Sequence, residues 1–277
     1  MKLKADMHVH TYYSDGLMSP AEVVSLAHKN GVRFLAVTDH DCSLAYDEVK
    51  AECDKYGIKT VTGIEVSAYV GDVKIHTLGY GINLDHPVYI RFFKKLYDGA
   101  VERTADIVGK LNKNGVKLTV DDVMNVRKSL LSPPHAMHVA NAGYKKGYTN
   151  SPSDFFFKYL AWGKPAFSGI CRPTPEETVK IIRECGGISS VAHPGRIDMP
   201  AADLVKLIER MKECGLDGIE AVYSAHTVKE TAYYKELAGS FNLLVTGGSD
   251  THFTGGYRNI GTPEFFLDEA LAEKLRI

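Results

Sequence analysis

The sequence predicts an α/β protein, a β/α barrel of about seven strands interrupted by a helical insertion. Three observations carry this. Short apolar runs alternate with amphipathic helical segments, the pattern of parallel βαβ units. The alternation stops between about residues 98 and 165, where no good strand occurs. Histidines and carboxylates gather at the ends of the apolar runs, and in a β/α barrel those ends share one rim.

Taken in order, "KADMHVH" opens the chain with Ala5, Met7 and Val9 alternating against Asp6, His8 and His10. In "SPAEVVSLAHKNG", Ser19 caps a helix, Pro20 takes its first position, Glu22 completes a capping box and Gly31 ends it. Residues 33–40, 59–67, 73–82, 187–195, 218–223 and 243–250 read as buried strands. "TPEETVKIIRECGG" repeats the helical grammar with Thr174, Pro175, Glu177 and Gly186. The expected domains are a discontinuous barrel, 1–97 and 166–277, and a helical lid, 98–165. Residues 100–165 hold ten Lys and Arg against five Asp and Glu, a basic surface suited to facing an anionic substrate. Phe155, Phe156, Tyr159 and Trp162 are expected to pack the insertion, with a base-stacking face as the alternative.

The chain has 277 residues, enough for one large domain with an insertion. A net charge of -1 argues against gripping long nucleic acid. The five cysteines form no C-x-x-C pair, which fits a reducing cytoplasm. No apolar run reaches the roughly 18 residues of a membrane span, so no membrane partner is expected.

The chemistry lies in His8 and His10, Asp15 in the following turn, His40 in "TDH", Glu65 in "GIEVS", His76, His193 in "AHPG", and Asp250 and His252 in "GSDTH". Residues i and i+2 of a strand point to one face, so His8 and His10 can reach a single ion. Neutral imidazoles with carboxylates suit Zn, Fe or Mn, and carboxylates can bridge two ions. Two or three divalent metals are therefore expected. Asp39 is expected to orient a ligand imidazole or assist catalysis. His226 in "YSAHT" is a candidate general acid or substrate contact, with a structural histidine as the alternative. Arg172, before Pro173 at a helix start, is a candidate anion contact. His135 and His138 are expected to be structural, and His28 and His86 to lie on the surface.

"DMHVHTYYSDG", "VTDHD", "GIEVS", "VAHPGR" and "GSDTH" together resemble the signature motifs of the PHP (polymerase and histidinol phosphatase) family. The resemblance implies a distorted seven-stranded (β/α)7 barrel with a trinuclear metal site. It assigns His8, His10, Glu65 and Asp250 to one ion, Glu65, His76 and His193 to a second, and Asp15, His40 and His252 to a third. The closer resemblance is to nucleoside 3',5'-bisphosphate phosphatases that also degrade short RNA from its 5' end, and to cyclic-phosphate dihydrolases. It implies phosphate contacts from Lys164 and Arg196. Pro133 stands where that subgroup has an arginine clamp, and Lys128, Lys145, Lys146 or Arg172 are candidates to replace it. The implied activity is hydrolysis of a small phosphorylated molecule, a nucleotide or sugar phosphate, by a hydroxide bridging two ions. A 5'-3' exonuclease on short oligoribonucleotides and a non-catalytic scaffold are the alternatives.

Overall fold

A computed structural model describes residues 3–256 and 258–277. The order is β1 (Lys4–Val9), α1 (Pro20–Lys29), β2 (Phe34–Val37), α2 (Tyr46–Tyr56), β3 (Lys59–Thr60), β4 (Gly63–Val70), β5 (Val73–Tyr80), α3 (Pro87–Lys113), α4 (Val120–Met124), α5 (Ala136–Lys145) and α6 (Pro152–Phe155). Then come α7 (Pro175–Glu184), β6 (Ile188–Val191), α8 (Ala201–Glu213), β7 (Gly218–Tyr223), α9 (Val228–Ser240), β8 (Leu244–Gly248), β9 (Phe265–Phe266) and α10 (Glu269–Leu275). A π-helical turn, Phe156–Leu160, follows α6, and a 3-10 turn, Pro194–Arg196, follows β6.

The described strands form two sheets, β3-β2-β1-β9 and β4-β5-β6-β7-β8, rather than one closed seven-stranded barrel. The two sheets meet at isolated parallel bridges, Val9 with Thr251 and His40 with Glu65. Both bridges lie where the candidate site residues fall. The predicted run 59–67 divides into β3 and β4. The expectation of uniform βαβ units fails at β5, which is antiparallel to both β4 and β6. Only Gly71 and Asp72 separate β4 from β5, and Gly71 takes a φ of 57°. A glycine–aspartate pair between apolar runs is a hairpin signal.

Close approach of β2 to β4 requires Gly63. A Cβ there would sit 2.2 Å from the Val37 carbonyl oxygen. Gly63→Ala is expected to destabilise the fold by about 1–3 kcal/mol, the usual size of overpacking penalties. A thermal midpoint equal to the wild type's would refute that.

Helix starts follow the sequence signals. Ser19 and Glu22 form the reciprocal capping box of α1, and Gly31 follows its end at φ 75°. Thr174 caps α7, but Glu177 bonds Lys95 Nζ at 2.6 Å instead of closing a box. His86 is not merely on the surface, because its side chain caps α3 by accepting the Val88 N–H. That helix runs unbroken across the expected boundary at 97/98. Its first part packs Tyr89, Phe92 and Leu96 against Ile64, Val66 and Ile182. Its second part packs Ile107, Val108 and Leu111 into a separate apolar cluster drawn from residues 107–166. Among the described residues no helix is long and apolar enough to cross a membrane.

Candidate metal centre

Glu65 lies at the middle of the site, fully buried near the start of β4. Its Oε2 is 3.3, 3.2 and 3.1 Å from ring nitrogens of His8, His10 and His40. Its Oε1 is 2.7 and 3.0 Å from those of His76 and His193. One carboxylate thus faces imidazoles from β1, from the segments after β2 and β6, and from β5. His76 sits early in its strand because β5 enters the rim from the opposite direction.

Asp250 Oδ1 lies 3.2 Å from His10 Nε2 and 3.5 Å from both His8 Nε2 and His252 Nδ1. Its other oxygen accepts from Tyr223 Oη at 2.9 Å and from Arg258. Asp15 is 3.2 Å from His252 Nε2 and 3.8 Å from both His10 and His40. Ligand atoms of His10, Asp15, His40 and His252 fall within 4.8 Å of one another. So do those of His8, His10, Glu65 and Asp250, and those of His40, Glu65 and His76.

These groups are oriented by residues the motif reading passed over. Glu220, fully buried in β7, accepts from His8 Nδ1 at 2.9 Å and from the His193 N–H at 2.7 Å. Its signal was present, as a lone carboxylate inside the apolar run "GIEAVY". His135 also belongs near the site rather than to the structural set. Its ring stacks on His40 at 4.8 Å and 5°, with Nδ1 3.6 Å from Asp15. His138 keeps a structural role, accepting from the His135 N–H at 2.9 Å.

Burial and charge divide the imidazoles. Burial works against protonating His10, but Asp250 and Glu65 outweigh it and push its pKa up to about 10. Burial opposes His8 too, yet Glu220, Glu65 and Asp250 raise it well above the usual value. Burial pulls His76 down to about 4 and His135 to about 3. Burial alone would raise Glu65, but His76, His40 and His8 hold it well below the carboxylate range.

Three expectations need correction. Asp39 bonds no ligand imidazole directly. It accepts from the Thr11 N–H at 2.8 Å, Thr11 Oγ1 at 2.6 Å and Ser14 Oγ at 2.6 Å, so it fixes the turn that carries Asp15. His226 has both ring nitrogens engaged by backbone. Nε2 accepts from the Gly195 N–H at 3.1 Å and Nδ1 lies 3.1 Å from the Ala221 carbonyl. Lys164 is exposed in a turn and is not part of the cavity wall.

That cavity holds about 510 Å³. Asp15, His40, His76 and His193 line it, as do His135 and Met137 at the start of α5. Arg196 and Arg172 also line it, with Lys74 and Arg103. Trp162 departs from the expected packing role, for it is 58% exposed and lines the cavity. Phe155, by contrast, is fully buried in the insertion's core. Lys128 donates to the Leu17 carbonyl at 2.9 Å and Lys146 pairs with Asp122, so neither faces the cavity.

A model of the PHP domain matches residues 6–78. A 3',5'-nucleoside bisphosphate phosphatase from Chromobacterium violaceum is 31% identical over 94% of this chain and 91% of its own. The chain belongs to the PHP family. A 5'-3' exoribonuclease from Haemophilus influenzae is 30% identical over 98% of both chains. A structure described as a metal-dependent phosphoesterase from Bifidobacterium adolescentis superposes with a TM-score of 0.86 at 26% identity, covering 98% of this chain and 94% of the other. The PHP match spans His8 to His76 and leaves His193, Glu220, Asp250 and His252 to the geometry above.

The donor set fits divalent metals. His8 Nε2, both nitrogens of His10, His40 Nδ1 and Glu65 Oε2 are buried and crowd together at ion-pair distances without making a well-aligned hydrogen bond. Leaving such groups unsatisfied costs about 1–3 kcal/mol each, and coordination would remove the deficit.

Proposed function

We propose that this PHP protein is a metal-dependent phosphoesterase that hydrolyses a phosphate ester of a small phosphorylated molecule, a nucleotide or sugar phosphate. The observation that carries the reading is the group of buried imidazole nitrogens crowded around Glu65 without well-aligned hydrogen bonds. Mn, Zn or Fe would be held by His8, His10, Glu65 and Asp250, by Glu65, His76 and His193, and by Asp15, His40 and His252. Bound there, divalent ions supply Lewis acidity toward phosphoryl oxygens and lower the pKa of water.

The chain's own residues do the rest. With metal bound, Glu220 would hold the proton of His8 on Nδ1 and so keep Nε2 free to serve as a ligand. Tyr223 and Arg258 hold one oxygen of Asp250, which turns the other toward His8 and His10. Asp39 steadies the turn bearing Asp15. Arg196 orients the reacting phosphate, and a bidentate guanidinium suits that task. His226, through Gly195, positions the 3-10 turn that presents Arg196.

The insertion, 98–165, serves as a lid in this reading, since its His135, Phe156 and Leu160 complete the cavity. In this reading the seven longer strands, linked at the two bridges, correspond to a distorted (β/α)7 barrel that stays divided into two sheets. Free thiols at all five cysteines support a cytoplasmic setting. Exposed Trp162 at the cavity favours a second reading, cleavage of short oligoribonucleotides by stacking of a base. Dependence of rate on substrate length separates the two.

Chelation followed by removal of the chelator is expected to abolish phosphate release, and added Mn, Zn or Fe to restore it. Undiminished turnover by rigorously metal-free protein would refute the phosphoesterase reading.

A further inference from the structure

Asp6 is a buried carboxylate outside all three candidate ligand sets. It stands two residues before His8 on β1. Its oxygens accept three backbone N–H groups. Oδ1 takes those of Ser249 at 2.9 Å and His8 at 3.3 Å, and Oδ2 takes that of Gly261 at 2.8 Å. Each bond reaches a segment that bears on the same candidate ion. His8 is one of its ligands, and Ser249 immediately precedes Asp250, another. Gly261 lies three residues after Arg258, which holds the second oxygen of Asp250.

This junction needs bracing. β1 and β8 carry or lead into the ligands, yet they belong to different sheets, and the isolated bridge of Val9 with Thr251 joins them in place of a ladder. Asp250 adds strain there. Its φ is 54°, in the left-handed region that costs most non-glycine residues energy. Its N–H donates to the His8 carbonyl at 2.7 Å. On its other side, Thr251 Oγ1 and N–H donate to Ser249 Oγ at 2.7 and 3.3 Å. In this conformation Asp250 Oδ1 comes 3.2 Å from His10 Nε2 and 3.5 Å from His8 Nε2. A strained residue persists where its surroundings over-determine it.

We propose that Asp6 is a positioning residue for the metal centre. It locks β1 to the turn bearing Asp250 and so sets the spacing of His8, His10 and Asp250 for their shared ion. This rests on the metal-dependent reading above and adds to it a residue that touches neither metal nor substrate.

Asp6→Asn keeps the shape but leaves one acceptor atom, so at least one of the three N–H groups meets an amide donor. Calorimetric titration of the chelator-treated variant with zinc is expected to show at least one ion bound about tenfold or more weakly than in the wild type, the range for groups that orient metal ligands. Wild-type zinc affinity at every site overturns the proposal, whether or not the thermal midpoint falls. Asp217→Asn is the control. Asp217 accepts the Ser189 N–H at 3.0 Å, at the end of β6 away from His193. An equal weakening by that variant would mean general loosening and also overturns the proposal. Should Asp6→Asn not fold, hydrogen exchange of the wild type decides. Ion and lock hold one geometry, and linkage between them is reciprocal. Zinc is therefore expected to slow exchange of the Gly261 N–H at least about tenfold more than that of the Ser189 N–H, and equal slowing overturns the proposal. A wild type that binds no Zn, Mn or Fe sinks the metal reading and this proposal together. A wild type that binds metal while these comparisons fail sinks the lock alone.

Discussion

Glu65→Gln is expected to lower phosphate release by more than about a hundredfold and to strip metal from the protein, because groups that merely orient metal ligands already cost ten- to a hundredfold. Glu65 stands closer than such groups. Its two oxygens lie within 3.3 Å of ring nitrogens on His8, His10, His40, His76 and His193. Glutamine has the same shape but one acceptor and no charge. Its amide would aim protons at imidazole nitrogens on one side, and divalent ions would lose the shared anion. The change is isosteric at a fully buried position, so the chain should still fold. Elemental analysis of the purified variant and its turnover should fall together. Wild-type metal content with wild-type rate would remove Glu65 from the centre of the site.

Much of this site was legible because strand periodicity is strict. His8 and His10 share a face by the alternation of side chains, and both turn toward Glu65. The strands of the alternating regions were legible for the same reason. What escaped detection was relational. "VGDV" marks a hairpin between β4 and β5, but the reversed direction of β5 against β6 depends on which edges the neighbouring strands leave free. The boundary at 98 falls inside α3 because one amphipathic stripe serves two apolar clusters without a break. Glu220 stands out as a lone carboxylate in an apolar run, but its meaning depends on His8, 212 residues away. Asp39 shows the converse error. Adjacency to His40 suggested a partnership, but successive residues of an extended segment point apart, and the carboxylate went to Thr11 and Ser14 instead. Lys164 lies exposed outside the cavity wall, and a motif gives a residue's place along the chain but not the direction of a long side chain.

Glu220→Gln is expected to weaken metal binding by about ten- to a hundredfold while the metal-free protein still folds. The reasoning turns on which proton can move. Glu220 accepts two hydrogen bonds, from His8 Nδ1 at 2.9 Å and from the His193 backbone N–H at 2.7 Å. Glutamine keeps one acceptor and brings two donors. A backbone N–H cannot give up its proton, and stranding it in the interior costs about 1–3 kcal/mol. Imidazole can exchange tautomers, so the glutamine oxygen should stay with His193 and its amide should turn to His8. Nδ1 of His8 then accepts, and the ring proton moves to Nε2. That nitrogen lies 3.3 Å from Glu65 and 3.5 Å from Asp250, in the position where a lone pair would be offered to metal. A protonated nitrogen offers none. Metal titration should therefore register the substitution while the metal-free thermal midpoint stays near that of the wild type. The reverse result, intact metal affinity with a clearly lowered midpoint, would mean that His8 kept its tautomer and the backbone bore the cost, and the tautomer argument would fall.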